Sequence, residues 1–226
     1  MANVSKTGFT LVKHPGGSGM AQPMLLPVIS GYQAICGAVN VDLCVGDPVS
    51  IHADGYCYAH LTTSTYTAAN AYYGVVVGID QYWSVANNRL EKGLGNRVPG
   101  ATVYGAVIDR ETRILVQPFA SGQVWEVEFD VVAGQPLTYA TRAAYKALVG
   151  ANVELLFTRA SAALARANLC LSDALVSGAV ATHPFRILDI PDETSAGPQD
   201  WTMTYVKAWV TANYCQQTPV GNTTGV

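Results

Sequence analysis

Val124-Trp125-Glu126-Val127-Glu128-Phe129 decides the fold class of this chain. Apolar and acidic residues alternate with period two, the spacing at which a β-strand turns successive side chains to opposite faces. The pattern predicts a strand with Trp125, Val127 and Phe129 toward a core and Glu126 and Glu128 toward water. Other strands follow on both sides of it. Residues 113–119 contain Ile114-Leu115-Val116, an apolar run that reads as a strand covered on both faces. Residues 72–79 are valine-rich and read the same way, as do residues 103–108. Gly46-Asp47-Pro48 is a turn that opens a strand at Val49-Ser50-Ile51. Ala53-Asp54-Gly55 is a hairpin signal between Ile51 and a strand in residues 56–61.

Further along, residues 152–157, 185–190 and 202–212 are strand candidates, and the acidic stretch 191–198 links the last two. Residues 81–99 are polar and contain glycine, which predicts a long exposed loop. One short helix is expected near 140–149. Thr138 or Thr141 would cap it, Ala140, Ala144 and Leu148 would share a face, and Gly150 would stop it. Residues 161–171 are left between loop and strand.

Composition agrees with an all-β chain of short strands and tight turns. Half of the 226 residues are apolar, 13% are charged, and 21 are glycine; about 25% charged is usual. Helical bundles need more Glu, Lys and Arg on their outer faces. A surface so poor in charge favours association. The net charge is -3 without a Lys/Arg cluster, so binding to a phosphate backbone is not expected. No stretch approaches the roughly 20 apolar residues of a membrane span, and residues 1–10 do not form a secretory signal.

The domain reading has three parts. Residues 1–30 form an extended N-terminal arm, broken by Pro15, Pro23 and Pro27, that reaches across a neighbour through an apolar anchor at Met24, Leu25 and Leu26. Residues 31–216 form the β domain, a barrel or sandwich of antiparallel strands, with a division into two parts near 133–150 as the alternative. Residues 217–226 form a flexible tail.

Candidate chemistry is sparse. The histidines are His14, His52, His60 and His183, and no nucleophile motif surrounds any of them. His52 and His60 flank the hairpin but lack a third metal ligand. Gly16-Gly17-Ser18-Gly19 lacks the Lys-Ser/Thr ending of a phosphate loop. Asp189, Asp192, Glu193 and Asp200 are acidic without calcium-loop spacing. Cys36, Cys44, Cys57, Cys170 and Cys215 have no close ligand spacing and read as buried thiols. No catalytic, cofactor or metal site is expected. Tyr56, Tyr58, Tyr66, Tyr72, Tyr73, Tyr82 and Trp83 lie close in sequence. Such rings suit a core, a protein interface or stacking on sugars. The candidate interface is therefore Met24, Leu25, Leu26, Tyr72, Tyr73, Tyr82 and Trp83.

One resemblance extends this reading. Gly46 to Val49 is a Gly-Asp-Pro-Val strand start. Gly74 to Gly78 is Gly-Val-Val-Val-Gly, and Arg113 to Gln117 is an Arg-x-Leu-Val-Gln-type strand. Gly150-Ala151-Asn152, Leu171-Ser172 and the run from Ala181 to Leu188 follow in order, before a final strand in residues 203–211. This serial order, over about residues 40–214, resembles structural proteins of tailed-bacteriophage virions. The resemblance implies a non-enzymatic virion protein that decorates or cements the outer capsid surface, made in the host cytoplasm. Its partner would be the major capsid protein, and its oligomer a homotrimer. A tail, neck or fibre subunit is the alternative, and a receptor- or glycan-binding β module is a further one. The five cysteines and the alanine-rich stretch at 160–169 depart from the pattern.

Overall fold

A computed structural model of the chain describes residues 8–13, 22–28, 43–51, 55–58, 71–84, 87, 89–92, 97–98, 112–120, 122–130, 141–157, 169–177, 183–195, 197–202 and 205–215. The strand candidate at 103–108, the tail at 217–226, the Gly16–Gly19 run, Tyr66, Cys36, His14, His52 and His60 lie outside these residues.

The protein is all-β, built on two sheets that curl closed. Strands β1 (Thr10–Lys13), β2 (Met24–Pro27), β3 (Leu43–Cys44), β4 (Pro48–Ile51), β5 (Cys57–Tyr58), β6 (Gly74–Ser84), β7 (Arg89–Lys92), β8 (Arg97–Val98), β9 (Arg113–Pro118) and β10 (Val124–Asp130) precede one short helix, α1 (Arg142–Lys146). Strands β11 (Asn152–Phe157), β12 (Leu169–Ser177), β13 (Phe185–Asp189), β14 (Glu193–Thr194), β15 (Gly197–Pro198) and β16 (Lys207–Ala212) follow it.

The first sheet runs β1-β10-β12-β11-β13-β16, and β16 returns to pair with β10. Five strands thus close on themselves, which removes the open edge that a flat sheet would carry. All its pairings are antiparallel except β10 with β12, where Phe129 faces Leu171 in parallel register. The second sheet runs β2-β9-β6-β4-β5 with β7 paired to β6. A parallel bridge from Val28 to Cys57 joins its two ends.

Local chemistry explains the turns. The Asp47 carboxylate accepts a hydrogen bond from the Cys44 amide at 2.7 Å, and Gly46 takes the positive φ of 94° that the reversal needs. Pro48 then starts β4, where its missing N–H does least harm. The expected hairpin forms between β4 and β5, with Ile51 opposite Cys57. The helix is capped as expected: Thr141 Oγ1 accepts from the Ala144 amide at 3.2 Å. Gly150 stops the chain at φ 90° and donates its amide to the Ile187 carbonyl. The buried face of α1 and the turn after it is Tyr145 with Leu148 rather than Ala144 with Leu148. Tyr145 reaches Phe129, ring centre to ring centre 5.7 Å.

The core lies where the sheets meet. Trp125, Val127 and Phe129 are buried in it, as the alternation predicts. Phe119, just past β9, packs edge-on against Trp125 at 5.7 Å and against Phe185 at 5.4 Å. Phe9 sits 4.7 Å from Phe185, and Tyr72 stacks on the same ring at 6.1 Å. Five aromatic rings thereby tie the N-terminal segment and the second sheet to the first. Truncating one such ring costs about 3–5 kcal/mol.

The described part of residues 1–30 is extended, as its prolines predict, and it pairs within its own chain: β1 lies on β10 and β2 on β9, and Phe9 is buried in the core. Two expectations change. Residues 81–99 are not one long loop: β6 continues to Ser84 and forms a ladder with β7, Gln81 opposite Lys92, while β8 pairs with β3. Glu126 and Glu128 do point away from the apolar interior, yet they are 3% and 0% exposed. For Glu126 the reason is Ser195 and Lys207, which bind its carboxylate.

Candidate functional site

The second sheet presents an apolar row. On β9, Arg113 and Leu115 are exposed while Ile114 and Val116 are buried. The run is therefore one-sided, not covered on both faces as its composition suggests. Leu115 lies opposite Leu25 of β2 on one side and Gly78 of β6 on the other. A Cβ at Gly78 would come within 3.2 Å of Leu115 Cδ1, so the glycine leaves room for the leucine to lie across β6. A register shift beside Gly78 turns Val77 outward as well. Leu25, Leu115 and Val77 are 44%, 36% and 39% exposed. Exposed Arg113 and Asp80 flank the row. Three large aliphatic side chains in adjacent strands form a contiguous patch, which is informative where a single exposed leucine is not.

The candidate interface residues divide around this row. Leu25 is in it. Met24 is 45% exposed at the start of β2, and its sulfur accepts a hydrogen bond from the Tyr73 hydroxyl at 3.0 Å. Leu26 and Tyr73 are half-buried. Tyr72 is fully buried and belongs to the aromatic core, so it is corrected from interface to packing. Tyr82 and Trp83 pair through their backbones with Glu91 and Leu90; their side chains lie outside the described residues. Leu115 and Val77 were hidden by their sequence context. The signal that would find Leu115 is its alternation with Ile114 and Val116 behind the charged Arg113.

A second constellation is polar and covered. Lys207 Nζ lies 2.7 Å from Glu126 Oε1 and donates to Ser195 Oγ at 3.2 Å. The Ser195 hydroxyl and amide both donate to the Glu126 carboxylate. Burial pushes that carboxyl up, but the hydrogen bonds from Lys207 and Ser195 and the lysine's charge outweigh it and hold Glu126 below the usual carboxylate range. Gln199 completes the arrangement: its Nε2 donates to the Pro191 and Lys207 carbonyls, and its Oε1 accepts from the Lys207 amide.

The acidic segment is spent on similar contacts. Asp192 receives two hydrogen bonds from Arg142, at 2.5 and 2.8 Å. Asp189 lies 3.3 Å from Lys146, and Asp200 accepts from the Thr202 amide and hydroxyl. Among the described residues no three His, Cys, Asp or Glu side chains converge as metal ligands do. Cys44, Cys57, Cys170 and Cys215 are buried thiols outside any disulfide, as read from their spacing. Burial pushes the Cys57 thiol up to about 12, which suppresses the reactive thiolate. Among the described residues no helix is long and apolar enough to cross a membrane.

Comparison of the chain with protein-family models, with curated proteins and with solved structures gives no match.

Proposed function

We propose that this protein is a non-enzymatic structural subunit of a phage virion, one that binds the outer capsid surface and stabilises the head. The observation that carries the reading is the exposed row Leu25–Leu115–Val77 on a chain with only 13% charged residues. An aliphatic patch of this kind gains free energy when neighbouring subunits take it out of water, at about 25 cal/mol per Å². The charged groups outside the first barrel, by contrast, pair within the chain: Glu126 with Lys207, Asp192 with Arg142 and Asp189 with Lys146.

In this reading the major capsid protein is the partner, and copies of the chain associate as trimers. Binding to the assembled shell alone stabilises that shell by mass action. The test is the copy number in purified particles, by quantitative mass spectrometry. Near parity with the major capsid protein is expected. About a dozen copies per particle would move the chain to a tail, neck or fibre position and overturn the decoration reading.

A further inference from the structure

We propose that the break in the β11–β12 ladder is a binding site for a hard divalent cation of the calcium type, held by the Glu154 carboxylate and the Ser172 hydroxyl. The ladder runs regularly from Phe157 opposite Leu169 to Leu155 opposite Leu171, and resumes at Val153 opposite Val176. Between those last two pairs β11 has only Glu154, whereas β12 has residues 172–175. Four residues thus stand against one, a bulge whose backbone carbonyls are released from the β11 ladder.

Both side chains leave the core by alternation. Val153, Leu155 and Leu171 are core residues. Glu154 and Ser172, each one position beyond the Leu155–Leu171 pair, therefore turn side by side to the outer face. Cross-strand neighbours of this kind have Cβ atoms about 5 Å apart. Both are more than nine-tenths buried, Glu154 at 7% exposed and Ser172 at 0%. Among the described residues neither has a partner. Ser172 Oγ is an orphaned buried hydroxyl. Burial alone acts on Glu154, without a hydrogen bond or a charge beside it. Arg186, on the same face of β13, directs its guanidinium to the Gly150 carbonyl at 2.8 Å.

The chemistry selects a small, hard ion. The donors are a carboxylate, a hydroxyl and released carbonyls, the oxygen set that calcium takes at about 2.4 Å. A cation at that distance from both side-chain oxygens bridges the pair and satisfies two buried groups at once. The small exposed part of Glu154 admits an ion with its water and shuts out a larger ligand. One carboxylate makes the site weak, with a Kd of about 1 mM, in the range of low-charge calcium sites. The site lies on the first barrel and is independent of the apolar row and of the virion reading.

Thermal unfolding of the full chain at neutral pH, in CaCl2 against NaCl of equal ionic strength, tests it. Calcium at about 10 mM should raise the melting temperature by about 3–5 °C. Glu154→Gln keeps the shape, removes the charge and should lose that rise, and Ser172→Ala should reduce it. Asp192→Asn, on the exposed acidic segment, should keep it. No rise in the wild-type chain would overturn the proposal. So would an equal rise in Glu154→Gln, or a rise lost in Asp192→Asn instead, which would place the ion on the exposed acids. Calorimetric titration of the wild-type chain with CaCl2 should give a single site, and the absence of binding or several equivalent sites would equally contradict the assignment.

Discussion

The two closed sheets solve the same problem with opposite surfaces. The first barrel, β10, β12, β11, β13 and β16, puts aromatic rings inside and charged residues outside, then covers part of the charge with its own chain. The second, β2, β9, β6, β4 and β5, leaves three aliphatic side chains uncovered on its outer face. Burial of Glu126 beside exposure of Leu115 inverts what either residue type predicts alone. The contrast is between charges paired within the chain and an aliphatic row that the chain itself leaves uncovered.

The largest effects should come from the junction between the barrels. Gly74→Ala would place a Cβ 2.3 Å from the Gln117 carbonyl oxygen, a backbone clash that no side-chain movement relieves. Phe185→Ala removes the ring on which Phe9, Tyr72 and Phe119 converge and should cost about 3–5 kcal/mol. Urea unfolding measures both, and a loss under 1 kcal/mol for Phe185→Ala would show that the barrels do not share a core.

Next in size is the covered ion pair. Lys207→Ala leaves the Glu126 carboxylate buried without its cation and should cost on the order of 3 kcal/mol. Replacing both, as Glu126→Leu with Lys207→Met, should recover most of that loss. Equal losses in the single and double variants would contradict the assignment.

Acid titration separates two buried carboxyls by sign. The folded pKa of Glu126 is lowered, so its contribution is present above the ordinary carboxylate pKa and is lost as pH falls through the lowered value. Burial raises the pKa of Glu154. Its charged form is penalised at neutral pH, and the penalty fades as pH falls through the raised value. Glu154→Gln should therefore raise the melting temperature at neutral pH, with the gain shrinking toward acid. Glu126→Gln should lower it at neutral pH, with the deficit shrinking toward acid.

The smallest stability effects should come from the apolar row. Leu25→Asp and Leu115→Asp sit on exposed positions and should shift unfolding by no more than about 0.5 kcal/mol, while weakening association with neighbours. A large loss of stability would make the row part of the fold rather than a working surface.

Much of the fold is legible in period-two patterns and turn chemistry. Val124 to Phe129, the Gly46-Asp47-Pro48 turn, the β4–β5 hairpin and the Thr141 cap are all local, so neighbouring residues suffice to predict them. Burial on a strand's second face is not local. Glu126 is covered by residues nearly seventy positions away, and Tyr72 is buried by Phe185. Phe9 is likewise placed by contacts with Phe119, Trp125 and Phe185 that no N-terminal pattern reveals. The same limit hid Leu115, whose apolar run is equally compatible with one covered face or two. One of the row's three residues, Leu25, is visible with Met24 beside it as an apolar anchor between prolines. Leu115 and Val77 need the strand register.

Hydroxyl-radical footprinting, comparing the isolated chain with the chain in assembled particles, tests most directly whether neighbours close over the second barrel. Met24, Leu25 and Leu115 should be modified readily in the isolated chain and protected in particles. Equal modification of these three residues in both states would contradict the account.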